Sequence, residues 1–111
     1  MDKITKYKSF IKKAIKRHYH PSDSDYTEFE RQLVFDDKRG HYFLIDVGWD
    51  NHKRIFECHL HIDLKDGKIW IRQDWTEGVV DDFLEMGVPK EDIVLAFQAP
   101  YKRHYTEFAV A

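Results

Sequence analysis

The stretch IFECHLHIDLKDGKIWIRQ, Ile55 to Gln73, decides the fold. In its first half Phe56, Cys58, Leu60, Ile62 and Leu64 recur at every second position, the period of a strand with one buried face. Asp66-Gly67 follows, a pair suited to the positive φ angles of a two-residue hairpin turn. Ile69-Trp70-Ile71-Arg72-Gln73 then resumes strand chemistry. A turn this tight joins only antiparallel strands.

Working outward, Phe43, Ile45, Val47 and Trp49 alternate in HYFLIDVGW, and Phe29, Leu33 and Phe35 share a face in EFERQLVF. DDKRG (Asp36 to Gly40) and Asp50-Asn51 are the intervening turns. IVLAF, Ile93 to Phe97, is a short fifth strand or a buried segment. Ahead of the sheet, Ile4, Tyr7, Ile11, Ala14, Ile15 and His18 stand at helical spacing. They predict a helix from about Asp2 to Tyr19, stopped by HPSDSD (His20 to Asp25), where Pro21 lacks an N–H donor. Val79, Val80, Phe83 and Leu84 predict a second helix, with Asp74 and Glu77 as a capping box and Gly87 as the stop. The pattern is a single α+β domain over residues 1–111: an N-terminal helix, an antiparallel four- to five-stranded meander sheet, and a second helix packed on one sheet face. The expected core is Phe43, Ile45, Val47 and Phe56 with Leu60, Ile62, Ile69, Ile71, Phe83 and Leu84.

A 111-residue chain with 42% hydrophobic and 15% aromatic residues can bury a core without staples. Its one cysteine, Cys58, allows no internal disulfide and fits a reducing compartment. No apolar run approaches the roughly 20 residues of a membrane span, and the N-terminus lacks a signal-peptide core. A cytoplasmic protein with no membrane segment is the expectation. The net charge of −2 is unevenly spread. Residues 1–17 hold seven Lys/Arg against Asp2 alone, a net of +6, while the rest holds eleven basic and nineteen acidic groups, a net of −8. Lys3, Lys6, Lys12, Lys13, Lys16 and Arg17 are therefore candidate DNA contacts, against the alternative of a solvated face or one that complements acidic neighbours.

Three other constellations are available. His59, His61 and Asp63 alternate onto one face with metal-ligand chemistry, but no spaced Cys/His pair joins them and Cys58 points the other way. No bound metal or cofactor is expected. No Gly-x-Ser-x-Gly, phosphate-cradling glycine loop or His-Glu-x-x-His occurs, so no catalytic residue is assigned and an enzyme is not expected. The outward sheet face, by the same alternation, carries Glu30, Gln32, Tyr42, Leu44, Asp46, Glu57, His59, His61, Asp63, Trp70 and Arg72. Its carboxylates would repel phosphate, so it suits a protein better than a nucleic acid.

The chain ends on YKRHYTEFAVA, Tyr101 to Ala111, an apolar segment expected to pack on the sheet, the second helix or a partner. Tyr42, Leu44, Trp70 and Arg72 with Tyr101, Arg103 and Tyr105 form the candidate partner surface. Such an apolar exposure predicts a homodimer or higher oligomer.

FLIDVGWDNHKRIFECHLHIDLKDGKIW, DGKIWIRQDWTEGVVDDFL and GVPKEDIVLAFQAPYKRHYTEFAVA resemble the XisI-like family, the fdxN element excision controlling factors. The resemblance runs from MDKITKYKSFIKKAI to the final AVA. It implies a cyanobacterial control factor for programmed excision of a DNA element during heterocyst development. It also implies a separate site-specific recombinase and a XisH-like protein as partners, and no catalytic residues. One departure stands out: RQDWTE, Arg72 to Glu77, has Trp75 where the family reads closer to QQDGTE or QYDGTE.

Overall fold

A computed structural model of the chain describes residues 2–20, 28–76 and 78–111. The turn expected past His20 and the capping residue Glu77 lie outside the described residues. Helix α1 spans Lys3–Arg17. Asp2 caps it by accepting the Thr5 N–H at 2.7 Å, and Lys16 and Arg17 sit in the last turn, where cations complement the helix dipole. Four antiparallel strands follow: β1 (Glu28–Asp36), β2 (His41–Asp50), β3 (Lys53–Lys65) and β4 (Lys68–Asp74). Asp66 and Gly67, at φ 54° and 74°, make the β3–β4 turn with both positive angles that the Asp-Gly pair promised.

Helix α2 (Val79–Glu85) then crosses back, and β5 (Ile93–Leu95) lies parallel to β4 at the end of the sheet order β1-β2-β3-β4-β5. The meander thus covers four strands, and the fifth arrives by a helical crossover, as a parallel neighbour requires. Asp74 does not cap α2. It ends β4 and accepts the Thr76 N–H at 2.8 Å, while Gly78 holds the N-cap position without a side-chain bond.

Both helices cover one sheet face. Tyr7, Ile11, Ala14 and Ile15 of α1 and Val79 and Phe83 of α2 bury against Tyr42, Leu44, Leu60, Ile62, Ile69 and Ile71. Leu60, Ile62, Ile69, Ile71 and Phe83 are core residues as expected. Four others are not, and Leu84 is only half-buried. Phe43, Ile45 and Val47 are half-buried on the opposite, outer face, and Phe56 is 69% exposed there. Tyr42 and Leu44, expected outward, are fully buried, and Asp46 beside them is 3% exposed.

The physical reason lies in two places. Strand β2 is apolar on both faces, so its alternation fits either orientation. Strand β3 breaks its own alternation: Leu44 pairs with Leu60 but Ile45 with Cys58, so His59 is the extra residue of a β-bulge. Past the bulge the two-residue period changes phase, sending Leu60 and Ile62 inward while Phe56 and Cys58 face out.

Candidate functional site

The bulge also divides the histidines. His59, expected beside His61 and Asp63, instead places its Nε2 2.6 Å from Asp46 Oδ2, and Asp46 Oδ1 accepts from Arg31 Nε at 3.0 Å. The Trp75 ring packs edge-on against the His59 ring at 5.6 Å, and the Trp75 backbone N–H donates to the His59 carbonyl.

On the outer face, strand register assembles a different group. His41 of β2 pairs directly with Asp63 of β3, and His61 lies two residues along the same strand. His41 Nδ1 lies 2.8 Å and His61 Nε2 2.9 Å from Asp63 Oδ1. Arg72 donates to Asp63 Oδ2, and a second bulge, between His61–Gln73 and Ile62–Ile71, makes Arg72 the extra residue of β4. Phe43 stacks on His61 at 4.2 Å and fixes its ring. Asp63 is 6% exposed. Burial opposes its ionisation, but the hydrogen bonds from His41 and Arg72 and the His61 ring outweigh that and hold its pKa below the ordinary carboxylate value. Sequence reasoning missed His41, because a partner 22 residues away is visible only once the register is known.

Trp70, next to this group, is nearly buried beneath cations. Lys65, Arg72 and Arg103 lie 4.6, 5.3 and 5.6 Å from its ring, and its indole N–H donates to the Lys65 carbonyl. Of the expected partner surface, then, Tyr42 and Leu44 belong to the core and Trp70 is covered. Arg72 is engaged with Asp63, and Arg103 donates to the Gln98 and Ala96 carbonyls. Tyr101 and Tyr105 are exposed, Tyr105 at 81%.

The tail itself is ordered on the sheet edge. Ala109 bridges Val94 in parallel and donates its N–H to the Ile93 carbonyl, and Phe108 packs against the core. Lys68 reaches Ala111, and Lys90 pairs with Glu107. Tyr105 and Val110, expected to be covered, stay exposed: Tyr105 ends a 3₁₀ helix over Pro100–Tyr105, and Val110 lies past the single bridge at Ala109.

What the outer face leaves open is a strip along β1, β2 and β3. Val34, Trp49 and Phe56 are exposed, and the half-buried Phe43, Ile45 and Val47 lie between them. Register places Val34 beside Phe43 and Phe56 beside Val47, so the strip is continuous. Gly48 keeps β1 close beside it: at φ 145°, a Cβ there would stand 2.5 Å from the Phe29 Cα.

The cations of α1 meet acids of the body. Lys3 pairs with Asp92 at 2.9 Å, Lys12 with Asp37 at 2.9 Å, and Arg17 with Asp82 at 3.3 Å. Lys6 lies 5.6 Å over the Phe10 ring, and Lys13 and Lys16 are exposed. Among the described residues, no helix is long and apolar enough to cross a membrane.

The sequence pattern of the family described as XisI protein matches residues 1–110. A XisI-like protein from Anabaena variabilis ATCC 29413, known from its crystal structure, is 44% identical, with a TM-score of 0.89 over 97% of this chain and 99% of its own. The fdxN element excision controlling factor XisI of the same organism is 40% identical, with a TM-score of 0.90 over 99% of this chain and 100% of its own. Among curated proteins none matches. With both sequence and fold matched end to end, the chain belongs to the XisI family.

Proposed function

We propose that this chain is a non-enzymatic control factor for excision of an fdxN-type DNA element in the cytoplasm, acting through contact with a XisH-like protein or a site-specific recombinase. The observation that carries the reading is the outer strip of Val34, Phe43, Ile45, Val47, Trp49 and Phe56, which neither helix covers. A control factor needs a face that another protein can cover, and an apolar centre with polar neighbours is how such contacts are built. Glu28, Glu30 and Gln32 of β1 and Arg54 of β3 supply the polar rim.

A chemical role has less support. The depression lined by Lys8, Asp37, Arg39 and Gly67 holds about 180 Å³, below the several hundred Å³ usual for small-molecule sites. The test is co-expression of the full chain with the XisH-like protein and the recombinase of its host, followed by co-purification. A complex with one of them is expected, lost in Phe56→Asp. No complex with either would sink the reading. The same strip favours self-association of the free chain as a two-fold dimer. Light scattering tests that part, and a particle of 13.4 kDa at high concentration would refute it.

A further inference from the structure

We propose that His41, His61 and Asp63 form a zinc site on the outer sheet face, with His41 Nδ1, His61 Nε2 and Asp63 Oδ1 as ligands. These atoms lie within 4.8 Å of one another, on neighbouring strands whose pairing holds them there. Both imidazoles already aim a ring nitrogen at one carboxylate oxygen, at 2.8 and 2.9 Å. Each neutral ring can carry its proton on the far nitrogen, which leaves two lone pairs and one carboxylate oxygen converging on a point. Tetrahedral zinc, at roughly 2.0–2.2 Å from such ligands, needs them about 3.3 Å apart. From 2.8 and 2.9 Å, each imidazole must draw back from Asp63 by roughly half an ångström, a shift open to both rings, since the His41 side chain is 47% exposed and that of His61 is 26% exposed. The site would keep an open position toward solvent.

The surroundings match what a metal ligand set needs. Arg72 occupies Asp63 Oδ2, so that Oδ1 is the oxygen turned to both imidazoles, and it orients the carboxylate as outer partners of metal ligands do. Phe43 stacked on His61 sets that ring. With the carboxylate charge offset by Arg72, the two imidazoles dominate, which selects zinc over the oxygen-seeking Mg²⁺ and Ca²⁺. The bulge keeps His59 away from His61 and Asp63, and His41 supplies the third ligand from the adjacent strand. Asp46, Glu57 and His59 form a weaker group on the inner side, with one imidazole and with Arg31 on Asp46.

The experiment is calorimetric titration of metal-stripped, tag-free full chain with zinc chloride at neutral pH, together with thermal melting. One equivalent is expected, and at a hundredfold excess over Kd the melting temperature should rise on the order of 10 °C. His41→Ala and His61→Asn should each weaken binding at least about tenfold, while His59→Ala binds as the parent does. If His61→Asn fails to fold, His41→Ala decides, since its ring is half exposed and its loss leaves the core intact. Absence of saturable binding to the parent, or a folded His41 or His61 variant that binds zinc like the parent, would overturn the proposal.

Discussion

Asp63 carries a charge that burial alone would suppress. His41 from β2, His61 from β3 and Arg72 from β4 surround it, and together they keep it ionised. Its pKa in the folded chain lies below the unfolded value of about 3.9. Its contribution to stability is therefore fully present above that unfolded value, and is lost as pH falls through the lower, folded one. Denaturant unfolding at pH 7 and near pH 2–3 should show the parent losing more stability on acidification than Asp63→Asn; equal losses would show the carboxylate is not held this way. Little of this was legible at the level of single residues. The two-residue period relates His61 to Asp63 within one strand, but His41 and Arg72 join them through cross-strand register and a bulge. Neither leaves a mark in local composition.

The elements were legible where local chemistry is unambiguous. Asp66-Gly67 announces its hairpin, α1 shows its apolar stripe, and β4 alternates Ile69 and Ile71 inward as read. β3 misleads because a strand with a bulge has two phases. Leu60 and Phe56 lie at the same parity in the sequence, yet one is fully buried and the other mostly in water. The difference is measurable. Leu60→Ala should cost roughly 2–5 kcal/mol, the range for emptying a closed core position. Phe56→Ala, measured at a dilution where the chain is monomeric, should stay within about 0.5 kcal/mol, as for an exposed site. Similar losses at both positions would mean that β3 runs in a single phase without the bulge. β2 could not be oriented from its own residues, since Tyr42 and Leu44 compete with Phe43, Ile45 and Val47 for the interior. The tie is resolved by the helices: α1 brings its apolar stripe to the face that contains Tyr42, whose hydroxyl donates to Asp37 at 2.8 Å.

At the scale of the whole molecule, the charge asymmetry of the sequence has a different meaning from the one a basic helix first suggests. The net of +6 over residues 1–17 faces Asp37, Asp82, Glu85 and Asp92, acids of the turn after β1, of α2 and of the segment leading into β5. Tyr7 adds to this by donating to Asp92 at 2.6 Å, so one carboxylate accepts from two residues of α1. The partners are separated in sequence by up to 89 positions, Lys3 to Asp92, so composition displays the imbalance without showing what offsets it. Each exposed pair adds little stability, at most about 1 kcal/mol. Their larger effect is on the field. A cation already beside a carboxylate releases few counterions when it meets phosphate, and counterion release is what drives nonspecific DNA binding. Lys6, Lys13 and Lys16 remain exposed on the helix, a short stripe over an acidic body. The full chain should therefore show no saturable binding to a mixed-sequence duplex at 150 mM salt, and only weak binding at 50 mM, by fluorescence anisotropy. Micromolar affinity that falls steeply with salt, and that Lys13→Glu with Lys16→Glu abolishes, would instead make the helix a DNA-contacting element.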